Sequence, residues 1–199
     1  MNEKLLQAVI DNKIEEVKIY LKQGGDADYR IKEDQLINDW GISKGSALLT
    51  IASGLGHMGI IVEIIKYGVD VNIQNKYGRT ALMWAAWNEH METCKFLIEN
   101  GADVNLQEDL GETALMYSVG DGYIVRYLLS VGANPLLEDK VGRTAYDLAR
   151  TGEIKQIIKA FENLWKRWGE KQTLLLVQNI NTAIRECSPD KMHSIIVNL

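Results

Sequence analysis

The sequence predicts an all-α fold, an α-solenoid in which helix-turn-helix repeats stack side by side and β-hairpin-like loops connect them. Three observations predict it. Glycine-centred motifs recur about every 33 residues, short runs with helical apolar spacing follow these motifs, and helical periodicity continues towards the C-terminus. One such unit cannot bury its apolar face alone, so stacking of neighbouring units must form the core.

The repeat is visible in two columns. The segments NKYGRTALMWAA, EDLGETALMYSV and DKVGRTAYDLAR share the glycines Gly78, Gly111 and Gly142, which are 33 and 31 residues apart. A second column holds YGVDVNIQ, NGADVNLQ and VGANPLLE, whose shared glycines have the same two spacings. A step of 33 residues back from Gly78 reaches Gly45, at the start of GSALLTIAS. The central part of the chain therefore contains four copies.

Both ends of the chain extend this pattern. Residues 5–29 hold two helical runs and then GGDADY, which aligns with the second column and predicts a first, capping repeat with a polar outer face. Downstream, Phe161, Leu164, Trp165 and Trp168 have helical spacing. A further helix is predicted to begin at Ser188-Pro189 and to bury one face. That face consists of Met192, Ile195, Ile196 and Leu199.

Residues 54–59, GLGHMG, have the G-x-G-x-x-G spacing of a dinucleotide-binding turn. The equivalent columns of the next repeat hold Trp87, Glu89 and Glu92, which a phosphate-binding loop could not accept. The glycines are therefore interpreted as a helix-to-helix turn. An enzyme that uses this turn is the alternative from a different functional class. It predicts that alanine at the three glycines abolishes ligand binding without unfolding the chain.

The repeat unit resembles the ankyrin repeat, whose signature T-P-L-H-x-A-A is matched loosely by TALMWAA, TALMYSV and TAYDLAR. GADVN at 101–105 and GVDVN at 68–72 fit the segment that ends the unit. Alanine replaces the proline each time, and Met83, Met116 and Asp147 replace the histidine. Because threonine and histidine tie down the first helix in that family, the resemblance implies units that are individually less stable. The similarity extends from Gly45 to about Ala160.

These patterns predict an array over residues 1–170 and a C-terminal helical cap over 171–199. The predicted units are 1–44, a capping repeat with an inserted loop, then 45–75, 76–108, 109–139 and 140–170. Gly24 and Gly45 are 21 residues apart, whereas Gly68 and Gly78 are 10 apart, so the first loop carries extra residues. Conversely, Gly111 and Gly132 are only 21 apart, against 23 in neighbouring units, which should shorten a turn and distort the stack there.

Composition narrows the functional class. The formal net charge of −5 disfavours nucleic acid and anionic membranes as partners. The basic and aromatic stretch LWKRWGEK could bind single strands, but its tryptophans lie on a core stripe. No run approaches the roughly 20 apolar residues of a membrane span, no signal peptide begins the chain, and Cys94 and Cys187 form no disulfide framework. We expect a cytoplasmic protein that is monomeric alone.

Residues suited to catalysis or metal binding are few. His57 and His90 occupy one column of adjacent repeats, His193 stands alone, and no Cys/His spacing suits zinc. No serine lies in a nucleophile-elbow context. We expect no catalytic, metal-binding or cofactor-binding residue and no cofactor, and hence no enzyme.

The resemblance implies protein recognition, because hairpin tips and exposed parts of the first helices line a concave face in ankyrin-like arrays. By column, the tip residues are Lys76, Tyr77 and Arg79, then Asp109, Leu110 and Glu112, then Lys140, Val141 and Arg143. The chain leaves the first helices through Trp87 and Asn88 in one repeat and through Gly120 and Asp121 in the next. Trp87 offers an aromatic anchor for a partner, or else packs against the neighbouring repeat's tip.

Two further features have both a functional and a structural interpretation. The charges of the three tips are basic, then acidic, then basic. This pattern either selects a partner or forms a ladder in which Arg79, Glu112 and Arg143 pair across repeats. The inserted loop includes Tyr29, Arg30 and Trp40, which are candidates for contact with a partner; the alternative is that Trp40 and Ile37 merely cap the groove. We predict a non-catalytic protein–protein interaction module (an adaptor or scaffold). The alternative is a stoichiometric inhibitor or immunity-type protein that blocks another protein's active site.

Overall fold

The computed structural model describes residues 1–31 and 45–185. These residues form α-helices that follow one another in pairs, one pair per repeat. The helices are α1 (Asn2–Ile10), α2 (Ile14–Lys22), α3 (Leu48–Gly54), α4 (Met58–Ile65), α5 (Ala81–Trp87), α6 (Met91–Glu99), α7 (Ala114–Tyr117), α8 (Gly122–Ser130), α9 (Ala145–Leu148) and α10 (Gly152–Arg185). The all-α solenoid predicted from the repeat is confirmed.

The stack has two layers of helices. The first helices of the pairs, α1, α3, α5, α7 and α9, each contact the next along the array. The second helices lie on the other side, where α2 contacts α4, α6 contacts α8, and α8 contacts α10. Small side chains such as Ala52, Ala85 and Ala86 are buried between the layers, which lets neighbouring helices approach closely.

A single apolar core runs from Leu5 in α1 to Ile158 in α10. It includes Cys94, which lies on the buried face of α6, and burial raises the pKa of its thiol to about 12. A thiol in such surroundings is a small apolar side chain and not a nucleophile.

The helix starts are tied down although the signature histidine is missing. The amide of Met83 donates to Thr80 Oγ1 (3.3 Å), and the Thr80 amide donates in return to the Met83 sulfur (3.5 Å). At the last repeat, the Asp147 carboxylate accepts from both the amide and the hydroxyl of Thr144, at 2.9 and 3.0 Å. Met83 and Asp147 therefore supply part of the capping network that we expected to be lost with the signature histidine.

The G-x-G-x-x-G segment is a helix-to-helix turn, as predicted, because α3 ends at Gly54 and α4 begins at Met58. Gly56 has a φ of 70°, and a Cβ at this position would lie 2.8 Å from the ring of His90. That ring belongs to the next repeat and donates through Nε2 to the Gly54 carbonyl (3.1 Å). His57 makes the equivalent contact through Nδ1 with the carbonyl of Val9 (2.9 Å). His57 and His90 thus each join their own turn to the preceding repeat.

The asparagines of the DVN segments join successive repeats. Asn72 donates to the Gly101 carbonyl (2.9 Å) and accepts from the Asp103 amide (2.7 Å). One repeat later, Asn105 donates to the Gly132 carbonyl (3.0 Å) and accepts from the Asn134 amide (2.8 Å). A side chain that both donates and accepts holds one loop to the next, which explains why this column recurs.

The first helices become shorter along the array. Helices α3 and α5 have seven residues each, whereas α7 and α9 have four. The two residues missing between Gly111 and Gly132 therefore remove the last turn of a helix. Helix α10 continues to Arg185 but contains Gly169, whose φ of 74° and ψ of 171° interrupt the helical conformation. The further helix predicted from Ser188 onward, with His193 and Cys187, lies outside the described residues.

Helices in the described ranges are too short or too polar to cross a membrane.

Candidate functional site

The site begins with three buried polar side chains that hold the hairpin tips. Asn75, Glu108 and Asp139 each accept hydrogen bonds from the amides two and four residues later, and all three are buried. The donors are Tyr77 and Arg79 to Asn75 (2.9 and 3.0 Å), Leu110 and Glu112 to Glu108 (2.6 and 3.3 Å), and Val141 and Arg143 to Asp139 (3.0 and 2.8 Å). These side chains fix the backbone of each tip before any partner arrives.

Sequence reasoning missed these three residues. A signal was present, since an acceptor side chain occupies the position three residues before Gly78, Gly111 and Gly142 in each copy. The residue type changes from asparagine to glutamate to aspartate, so only the shared ability to accept a hydrogen bond defines the column.

Neighbouring tips are joined through their backbones. The amide of Asp109 donates to the Tyr77 carbonyl (2.9 Å), and the amide of Lys140 donates to the Leu110 carbonyl (2.8 Å). Each tip also closes on itself, with bonds of about 3 Å from residue 75 to 79, 108 to 112 and 139 to 143. The tips form one continuous row with a fixed register.

An apolar side chain points outward from each tip. Tyr77, Leu110 and Val141 occupy the same column, and they are 41, 57 and 73% exposed. Large apolar side chains at equivalent positions of three successive repeats thus form a line of exposed apolar groups. We call these three residues the tip row.

The charged tip residues pair mainly with their own or the adjacent tip. Arg143 lies 2.7 Å from the carboxylate of Asp139 and 3.9 Å from that of Glu112, whereas Arg79 lies 3.8 Å from Glu108. The ladder predicted for Arg79, Glu112 and Arg143 is thus present between Glu112 and Arg143, while Arg79 pairs with the buried Glu108. Burial, and then the nearby negative charge of Glu108, raise the pKa of Glu112. Of these pairs, Arg143–Glu112 is partly exposed on both sides, and a surface pair of this kind contributes about 0–1 kcal/mol.

The remaining predicted tip and loop residues differ in their surroundings. Lys76 lies over the ring of Tyr77, at 4.7 Å from its centroid, while Asp109 and Lys140 are exposed. Tyr29 is half-buried against the core. The side chain of Arg30 donates to the Gln74 carbonyl (3.1 Å) and so connects the first loop with the next tip. Trp40 lies outside the described residues.

Trp87 is 52% exposed at the end of α5. Its ring meets that of Tyr117 edge to face, with centroids 5.8 Å apart and an angle of 70° between the planes. The guanidinium of Arg150 lies 5.9 Å from the Trp87 centroid. Trp87 therefore packs on the first helix of the next repeat and not on a tip, and half of its surface stays available.

Arg79 connects the tip row with the helical part of this face. Its guanidinium lies 5.6 Å from the ring centroids of both Tyr77 and Trp84. Burial raises the pKa of Tyr117 to about 12, although the positive charge of Arg79 opposes the shift. Tyr117 therefore stays neutral at physiological pH and offers an aromatic edge beside Trp87.

Two predicted contact residues have side chains engaged at helix ends. The Asn88 side chain donates to the Trp84 carbonyl (3.0 Å) at the end of α5. The Asp121 carboxylate caps α8 by accepting from the amides of Tyr123 (2.6 Å) and Ile124 (3.3 Å). Their contact with a partner stays a prediction, as it does for the other residues of the predicted site.

No group of three or more His, Cys, Asp or Glu side chains in residues 1–31 and 45–185 is arranged to hold a metal ion. The rings of His57 and His90 are engaged by backbone carbonyls between repeats. Within these residues the face carries aromatic, apolar and charged side chains on a backbone held by hydrogen bonds.

Comparison with known proteins agrees with this geometry. The family description "Ankyrin repeats (3 copies)" matches residues 5–108, and "Ankyrin repeats (many copies)" matches residues 88–129. The chain is also similar to a transient receptor potential cation channel subfamily A member 1 homolog of Caenorhabditis elegans, with 31% identity over 125 residues. That similarity covers 61% of this chain but only 10% of the channel homolog. A repeat match over more than half of the chain, with stacked helix pairs throughout it, shows that this chain belongs to the ankyrin-repeat family.

Proposed function

We propose that this chain is a non-catalytic protein–protein interaction module, an adaptor or scaffold that binds a partner through its first helices and hairpin tips. Ankyrin repeats generally mediate interactions between proteins. The observation that carries the proposal is the tip row, three exposed apolar side chains in one column, beside the half-exposed Trp87. In ankyrin-like arrays this side is the concave face.

The fixed backbone of the tips favours binding. Association costs free energy when loops and side chains become ordered, and a surface that is already ordered avoids part of this cost. The tips carry buried acceptors at Asn75, Glu108 and Asp139 and are bonded to one another, so little backbone ordering remains to be done.

Trp87 is the proposed centre of the contact. Tryptophan and tyrosine dominate the binding energy of many interfaces because a large rigid ring is buried at a low entropic cost. The edge contact with Tyr117 holds the Trp87 ring in place while leaving about half of it exposed. We further propose that the partner is another protein, that the chain works in the cytoplasm as a monomer until it binds, and that residues 171–199 cap the array over 1–170.

The alternative is a stoichiometric inhibitor or immunity-type protein. The formal net charge of −5 favours it where the target is basic, because opposite charges accelerate association. The two roles differ in the identity of the partner and in the consequence of binding. An inhibitor abolishes the activity of its target at a one-to-one ratio, whereas an adaptor leaves that activity intact.

The test is quantitative affinity capture from the native cell extract, with the fold of every variant checked by circular dichroism. The double variant Tyr77→Ala, Trp87→Ala removes the tip and helix anchors. The matched control, Ile19→Ala with Tyr67→Ala, removes exposed apolar side chains from the second helices, α2 and the end of α4. Loss of one stoichiometric partner in the first variant only is the expected result. A partner held equally by both variants would contradict the proposal.

A further inference from the structure

The shortened first helices open a cleft in the array. Because α7 ends at Tyr117, the chain reaches α8 through Gly120 without the last helical turn that α5 has. The space left behind is an open cleft of about 500 Å³ between the fourth and fifth repeats. Its lining includes Gly120, Tyr123, Arg126, Thr151, Glu153 and Ile154.

Gly120, which lines this cleft, also lies close to the end of the Arg150 side chain. Arg150 follows α9 in the fifth repeat, yet its guanidinium lies against Trp87 of the third repeat, at 5.9 Å from the ring centroid. The intervening repeat contributes Gly120, and a Cβ there would lie 3.9 Å from Arg150 Nη1 and 3.4 Å from Glu89 Oε1. A Cβ would fit here in ordinary contact, whereas a longer side chain would fill the space between Arg150 and Glu89. We call Trp87, Glu89, Gly120 and Arg150 the notch.

Arg150 makes no direct ion pair within the notch, although the Glu89 carboxylate lies near it on the other side of Gly120. Arg79, Arg126 and Arg143 each lie within 4.0 Å of a carboxylate. Arg150 is exposed, and over residues 1–31 and 45–185 it makes no such ion pair. A guanidinium that rests on an aromatic face still has free N–H groups at its edge, and these match a carboxylate in a bidentate arrangement.

We propose that the notch receives an acidic side chain of the partner protein, whose carboxylate pairs with Arg150 while an adjacent apolar or aromatic side chain covers Trp87. This inference rests on the proposed function and specifies the chemistry of the partner segment. The ion pair with Arg150 and the apolar contact with Trp87 reinforce each other, because a side chain that covers Trp87 also excludes water from the ion pair and strengthens it. Glu89 lies at the same edge, so its negative charge should lower the affinity of the notch for an acidic side chain.

The test uses a phage-displayed library of random peptides, selected against the whole chain and in parallel against the charge-reversed variant Arg150→Glu. The expected result is enrichment of peptides that carry Asp or Glu close to an aromatic or large aliphatic residue. On the variant, this acidic preference should disappear and basic residues should replace it. Selection against Trp87→Ala identifies the peptides that bind at this face.

The affinity of one enriched peptide then tests each residue of the notch. Arg150→Gln should weaken binding about tenfold or more, because a charge-assisted pair is lost. Glu89→Gln should strengthen binding about two- to threefold at low salt, through the loss of a like charge several ångströms away. Gly120→Gln should weaken binding by filling the space between Arg150 and Glu89. The φ of Gly120 is outside the positive range and its Cβ contacts are ordinary, so the fold should tolerate this change.

The outcomes separate this inference from the proposed function. Peptides that need Trp87 but show no acidic preference, and bind Arg150→Gln as well as the unchanged chain, would overturn the inference and leave the protein-binding proposal standing. A library that yields no specific peptide would also overturn it. The proposed function itself falls only if the native partner is captured equally well by the Tyr77→Ala, Trp87→Ala variant.

Discussion

The glycines of residues 54–59 differ so much in their surroundings that alanine should have a different effect at each. Gly56 has a φ of 70°, and its Cβ would lie 2.8 Å from the His90 ring. Gly54 ends α3, and its Cβ would make ordinary contacts at 3.6 Å from the Trp84 Cβ. Gly59 lies in α4, where a Cβ would come within 2.9 Å of the end of the Ile14 side chain. The environment of each glycine sets the sign of the effect.

The magnitudes follow from these contacts. For Gly56→Ala, the left-handed backbone costs about 1–2 kcal/mol. Displacing His90 from the Gly54 carbonyl costs about 1 kcal/mol more, so the free energy of unfolding should fall by about 2–3 kcal/mol. Gly54→Ala should raise it by about 0.5–1 kcal/mol, because alanine is the better helix former. Gly59→Ala should gain a similar helix propensity but must displace the flexible Ile14 side chain, so we expect almost no change in the free energy of unfolding.

Equilibrium unfolding in urea measures these differences, and the slope of the transition shows whether the array still unfolds as one unit. Glu89→Gly is a matched control, because Glu89 occupies the Gly56 column with a φ of 61° and glycine there should stabilise by about 0.5–1 kcal/mol. The reasoning would be refuted if Gly54→Ala proved more destabilising than Gly56→Ala. A phosphate-binding loop predicts lost ligand binding in all three variants and no such order of stabilities.

Three further predictions follow from individual contacts. Burial raises the pKa of Cys94 to about 12. In a Cys187→Ser background, the Cys94 thiol should therefore resist alkylation at about pH 8 until urea unfolds the chain. Rapid labelling of the native protein would instead show that α6 opens. Hydrogen bonds from the Thr144 amide and hydroxyl lower the pKa of Asp147, so its contribution to stability is present above the usual value of 3.8 and is lost as the pH falls below it. Replacing that residue with asparagine should flatten this part of the pH–stability profile, and an unchanged profile would contradict the assignment. Asn105→Ala should lower the free energy of unfolding by about 1–3 kcal/mol, because Asn105 bonds to the next repeat. Asn100→Ala is the control and should cost less, since the Asn100 side chain bonds only within its own turn. Equal losses of stability would argue that Asn105 does not join the two repeats.

The features predictable from the sequence were those that recur at the repeat spacing. The Thr80 column marks the start of three first helices, the His90 column marks two turns, and the DVN segments mark the joints, because equivalent residues perform the same local task in successive copies. Even the missing residues near Gly120 could be read as a shortened turn. Periodicity could therefore reject the phosphate-loop interpretation before any geometry was known.

What the sequence could not show depends on single contacts between different columns. Arg150 has no equivalent in the other copies. It approaches Trp87 past a fourth repeat whose first helix is one turn shorter and which carries glycine at 120. The sequence gives no sign that these residues come together, since about 30 residues separate Trp87 from Gly120 and Gly120 from Arg150. The repeats supply a regular scaffold, and this irregularity makes one edge of it chemically distinct from the rest. We expect partner choice to reside where the repetition fails. The tips present similar apolar groups in each repeat, whereas Arg150 places a positive charge in a column that holds Ala86 and Val119 in the two preceding repeats.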